Sequence, residues 1–165
     1  MRTRFVFIFL IAIGLAAAAT AQTKTNSTLE CARADPVHMV EIGDRPGHAF
    51  IVAKAACTWT KPMEIAGSAS KDGVTTAIEE MSAGKSSGSG VHWSTMASGD
   101  KFFVRFQAKT TYDKDGKMQT SQGTWSYTGG TGELKGIKGK GTYSGKGSPD
   151  GTATYEIEGE YTLPK

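Results

Sequence analysis

The stretch "FFVRFQAKTTY", residues 102–112, alternates apolar and polar side chains with a period of two. Phe102, Val104, Phe106, Ala108 and Tyr112 take every second position, and Arg105, Gln107 and Lys109 fall between them. Successive side chains of a strand point to opposite faces, so the spacing predicts a half-buried strand and does not suit a helix. Similar patterns place strands at 37–43, 47–60, 73–81, 90–97, 101–113, 117–128, 137–145 and 151–163. The turn signals between them, such as "GDRPG", "SKDG", "DKDG" and "KGSPDG", are short. Short connections join antiparallel neighbours, because a parallel crossover needs about a dozen residues. Eight strands without a helix to cover an open sheet usually close on themselves and so remove their exposed edges. The predicted fold is all-β: a single eight-stranded antiparallel up-and-down barrel, calycin-like in architecture.

The chain begins "MRTRFVFIFLIAIGLAAAATAQ", with Arg2 and Arg4, an apolar run and the small triplet Ala19-Thr20-Ala21. This reads as a signal peptide over 1–21 with cleavage before Gln22. The apolar run is short of the roughly 20 residues that a membrane-spanning helix needs. The expected mature protein is therefore periplasmic or secreted and free of the membrane. Residues 22–36 are expected to form an N-terminal extension, and 37–165 the barrel domain.

Removing Arg2 and Arg4 leaves seventeen basic residues against sixteen acidic ones, a net charge of +1. So even a balance argues against nucleic acid as a partner, which needs basic residues concentrated on one face. Two cysteines remain, Cys31 and Cys57. In an exported chain with no Cys-x-x-Cys spacing they are read as one disulfide, not as a redox pair.

Residues 128–151, "TGGTGELKGIKGKGTYSGKGSPDG", raise the question of a phosphate cradle. A Walker-type loop needs G-x-x-x-x-G-K-[ST] leading into a helix, and the dinucleotide pattern needs a third glycine where Lys135 stands. Glycine is therefore assigned to the backbone: positive φ at 129, 130 and 132, and bulges or strong bending at 136, 139 and 141. The last two strands suggest a register with Thr142 opposite Thr154, Lys140 opposite Glu156 and Lys138 opposite Glu158. That pairing puts the lysines and glutamates in water and Tyr143, Tyr155, Ile157, Tyr161 and Leu163 on the other face. Glu156, Glu158 and Glu160 then form a solvated ladder and not a cation site.

The run "GGTGELKGIKGKGTY" resembles the glycine-rich signature of the barrel superfamily that contains plant allene oxide cyclases and dirigent proteins, together with many small exported bacterial proteins. The similarity is strongest over 123–145 and extends loosely, as a count of strands, over 37–163. The resemblance implies an eight-stranded antiparallel barrel, in some members with a ligand cavity at one mouth. It also implies chemistry that steers cyclisation or radical coupling of apolar substrates. No catalytic motif of either enzyme carries over residue by residue, so no catalytic residue is assigned.

The largest inward candidates are Trp59, Trp93, Trp125 and Tyr127, and an inward Trp93 would turn His92 outward. Arg105 joins them as a candidate ligand-binding residue, although, like Glu41, Glu79 and Glu80, it is expected on the solvent side. Any of these charges facing inward would mark a polar site, because an unpaired buried charge is costly. His38, His48 and His92 have no metal-ligand spacing and no G-x-S-x-G elbow is present, so neither a metal nor a cofactor is expected. Three functions follow from this reading. The first is binding of a small apolar molecule, the second an isomerase or cyclase acting in the cavity, and the third a protein-interaction or inhibitor barrel acting through residues 22–36.

Overall fold

A computed structural model describes residues 22–164; the predicted signal peptide lies outside the described residues. Ten strands form: β1 (Thr23–Cys31), β2 (Val37–Glu41), β3 (Ala49–Lys61), β4 (Glu64–Ile65), β5 (Ser68–Ser82), β6 (Lys85–Met96), β7 (Lys101–Tyr112), β8 (Met118–Gly130), β9 (Lys138–Gly147) and β10 (Ala153–Thr162). A single 3-10 turn, Gly132–Leu134, lies between β8 and β9. Each of the strands β5 to β10 pairs antiparallel with its sequence neighbours. The ring closes because β3 pairs with β5 on one side and with β1 on the other, while β1 also pairs with β10. The barrel therefore has eight staves: β1, β3 and β5 to β10.

The number of staves agrees with the sequence reading, but the first of them does not. Residues 23–31, expected to lie outside the barrel, are one of its walls, and the predicted strand at 37–43 is a five-residue strand that pairs with β3 alone. Both β1 and β2 run antiparallel to β3, along its later and earlier residues respectively, so together they are one strand interrupted at 32–36. Cys31 and Cys57 are opposite each other in the β1–β3 ladder and are disulfide-bonded across 26 residues of chain. Closing a loop of that length stabilises the fold by about 3 kcal/mol on the chain-entropy account.

Opposed aromatic residues and glycines explain the composition of β8 to β10. On the inner face Trp125 stands opposite Gly141, which in turn stands opposite Gly159. A Cβ on Gly141 would lie 2.8 Å from the Trp125 ring, and one on Gly159 would overlap it. Tyr155 likewise faces Gly145, and Phe106 faces Gly90. These glycines clear space for rings lying against the wall. Neither ladder of β9 contains a register shift, so of the bulges or strong bending expected at 139 and 141 no bulge forms. Positive φ is used at Gly132 (51°), where Asp100 fills the space a side chain would need.

The register of the last hairpin also differs from the expected one. Thr142 pairs with Glu158 and Lys140 with Glu160, a shift by an even number of residues. An even shift preserves the faces. The charged row is therefore outside, as expected, and Tyr143, Tyr155, Ile157 and Tyr161 point in.

One end of the barrel is packed solid. Met63 and Ile65 from the β3–β5 connection, Met96 at the end of β6, Phe102 on β7, and Leu134 and Ile137 before β9 are each no more than 3% exposed. They join Trp59, Leu29 and Tyr161 in one apolar cluster.

Candidate functional site

Above this floor lies a cavity of about 270 Å³ that reaches the opposite rim at Ala32, Ala34, Ser148 and Gly151. Its origin can be read in the ladders. At mid-height β3, β5 and β6 point Ala53, Ala77 and Gly90 inward in one cross-strand row, ending at Phe106 on β7. The Phe106 ring lies over Gly90, while Ala53 and Ala77 leave unfilled the volume that larger side chains occupy near the floor. The facing wall is aromatic, with Phe106, Trp125, Tyr143 and Tyr155 lining the same space. Neighbouring rings meet edge to face, Phe106 with Tyr143 at 6.1 Å and Tyr143 with Tyr155 at 5.9 Å between centroids.

Of the candidate ligand-binding residues, Trp59, Trp125 and Tyr127 line this cavity. Trp93 and Arg105 do not. Trp93 lies on the outer face with the Lys101 ammonium 4.9 Å from its ring centroid, and Arg105 is exposed on the outer face of β7.

The side chain that faces in is His92, contrary to the expected orientation of this strand. The Trp59 Nε1–H donates to Ser94 Oγ at 2.8 Å, Ser94 Oγ lies 2.7 Å from His92 Nε2, and His92 Nδ1 lies 2.8 Å from Thr75 Oγ1. An indole only donates, so Ser94 accepts from Trp59, and each ring nitrogen of His92 has a hydroxyl partner, Ser94 at Nε2 and Thr75 at Nδ1. Burial pushes the His92 imidazole down to about 4, so it is neutral at ordinary pH. This hydrogen-bonded chain satisfies polar groups near the floor. A pattern that puts the largest side chain inside cannot detect it.

Near the rim the cavity has one polar corner, also missed by the sequence reading. Glu79 on β5, expected outside, points in, and among the described residues is the only carboxylate lining the cavity. The Ser86 hydroxyl donates to Glu79 Oε2, and the Tyr112 hydroxyl donates to the same oxygen at 3.4 Å. Burial raises the phenol pKa values of Tyr112, Tyr143 and Tyr155, so all three are neutral; Tyr112 donates to Glu79, Tyr143 to the Gln107 carbonyl and Tyr155 to Met118 Sδ. The signal was available, since Glu79 is in phase with Thr75 and Ala77 on β5, but Glu80 next to it made either phase of the strand plausible.

His48, Glu80 and Glu41 lie elsewhere. His48 is buried at the end of the β2–β3 turn, with Nδ1 2.5 Å from Asp44 and Nε2 2.8 Å from Glu80. Glu41 and His38 are exposed on β2. Among the described residues no group of histidine, cysteine or acidic side chains is placed to hold a metal ion. No helix among them is long and apolar enough to cross a membrane.

The geometry defines a class: a closed, disulfide-linked antiparallel barrel, packed at one end and hollow at the other. The sequence matches no protein-family model and no curated protein. Among solved structures, a pterocarpan synthase dirigent protein superposes with a TM-score of 0.50 at 13% identity, over 96% of this chain and 99% of that one. A second pterocarpan synthase dirigent protein gives 0.47 at 14% identity, over 88% and 97%. A pyocyanin demethylase gives 0.40 at 17% identity, over 82% and 99%. The chain thus shares the dirigent barrel fold that its glycine-rich segment resembles.

Proposed function

We propose that this is an exported barrel that binds one small, mostly apolar molecule in its interior. The observation that carries the reading is the cavity of about 270 Å³ between the small-residue wall and the aromatic wall. That volume lies just below the range of about 300–1,000 Å³ for drug-sized ligand sites, which suits a small molecule, and the lining combines apolar surface with one polar corner, as such sites do. Export is supported by the Cys31–Cys57 disulfide, since such bonds persist in oxidising compartments. The test is native mass spectrometry of protein purified from its own compartment. A retained small molecule is expected on the wild type and should be absent from Ala77→Phe, which fills the cavity. A wild type that carries nothing, and whose melting temperature no small aromatic compound raises, overturns the reading.

The second reading, an isomerase or cyclase, is favoured by Glu79, because a carboxylate inside the cavity can accept a proton from a bound substrate. A solved neighbour with this fold is named as a synthase, which is compatible with catalysis in such a barrel. The third reading required residues 22–36 to be a free arm, and β1 occupies most of that segment.

A further inference from the structure

We propose that the molecule bound in the cavity is an organic cation, a small aromatic or alicyclic amine whose ammonium group pairs with Glu79. The proposal rests on the cavity being a binding site and names the chemical class it takes. Glu79 is a carboxylate without a protein counter-ion: ion pairs among the described residues involve only Asp44, Arg45, His48 and Glu80. Lys54, the one lysine bordering the cavity, is exposed and pairs with no carboxylate there. The two hydroxyls that donate to Glu79 both reach the same oxygen, Oε2, and Oε1 receives no side-chain hydrogen bond. An anion beside apolar surface with half of its acceptor capacity unused favours a charged donor over a neutral one.

The surroundings point the same way. The Tyr112 hydroxyl lies 3.4 Å from the Glu79 carboxylate, and Tyr143 and Tyr155 line the same cavity. The faces of aromatic rings carry negative potential and attract cations. The same arrangement disfavours an anionic ligand, since His92 is neutral and Lys54, at the border, is turned to solvent. Ala53 and Ala77, paired across β3 and β5, leave room for a planar body next to the ammonium.

Isothermal titration calorimetry at neutral pH with three probes of one shape tests this: naphthylmethylammonium, the neutral naphthylmethanol and the anionic naphthoate. The cation is expected to bind about tenfold or more tightly than the alcohol, a difference of about 1.4 kcal/mol, and the anion is expected not to bind. Glu79→Gln should erase the preference while the alcohol binds as before. If the alcohol binds wild type as well as the cation does, the cation proposal is overturned and the cavity reading survives. If no probe binds, the cavity reading falls and the proposal falls with it. The wild-type comparison does not depend on how the variant folds.

Discussion

Two histidines respond to acid in opposite directions, and each does so because of what its ring touches. Both nitrogens of His48 face carboxylates, so only the imidazolium satisfies Glu80 and Asp44 together, and these partners raise its pKa above the ordinary value. A raised value means that the stabilisation is fully present below about pH 6.5 and is lost as pH rises through the folded-state value. The Asp44 carboxyl, lowered chiefly by its hydrogen bond from His48, limits the clasp on the acid side. His92 behaves in reverse. With its value held down to about 4 by burial, the unfolded chain binds the proton first, so stability falls as pH drops from about 6.5 towards 4. The span of the shift corresponds to a loss on the order of 3 kcal/mol. Melting curves recorded from pH 4 to pH 8 should therefore show a broad maximum in the wild type. His48→Gln should lose stability mainly on the acid side of that maximum, where the clasp is intact. A variant with an unchanged profile would show that the clasp contributes nothing.

Among the elements, β9 and β10 show what a one-dimensional pattern conveys and what it omits. Their alternation was legible, because lysine and glutamate alternate with tyrosine, isoleucine and glycine, and a shift of register by an even number leaves every face in place. The purpose of the glycines was not, since it depends on Trp125 across the sheet, more than a dozen residues away in sequence. Gly159→Val places its branches against the Trp125 ring and the Lys140 carbonyl oxygen. Overpacking of this kind should cost about 3 kcal/mol in urea unfolding, whereas Thr142→Val, on the exposed side of the neighbouring strand, should change stability by less than about 0.5 kcal/mol. Equal effects at the two positions would remove the aromatic-slot account. β1 escaped notice for a related reason. Its inward side chains are Ser27, Leu29 and Cys31, and "TKTNSTLEC" offers too little apolar contrast to signal a buried face. Trp93 and His92 were interchanged because size was taken as the guide to the interior. A chain of hydrogen bonds from Trp59 through Ser94 makes the imidazole the better buried group.

At the scale of the whole molecule, closure and hollowness come from different parts of the chain. The hollow is a matter of side-chain volume at mid-height, while closure depends on one stave, because β1 is the only connection between β10 and β3. A chain lacking residues 22–31 would keep the aromatic wall and all of the turns. It would, however, expose the edges of β10 and of the later half of β3 and leave Cys57 without its partner. Unpaired edges recruit other strands, so the truncated protein is expected to form oligomers or aggregates, seen by size-exclusion chromatography with light scattering. The amides of β10 and β3 should also lose protection from hydrogen exchange. Were the segment an appendage for meeting a partner, as the interaction reading of residues 22–36 required, its removal would leave a monomer with the wild-type melting temperature. That result would also require the ring to close by pairing β10 directly with β3. Since β3 runs antiparallel to β1 and β1 antiparallel to β10, such a junction would be parallel in an otherwise antiparallel barrel, and it would leave the inner face one row short of the side chains that now pack the floor.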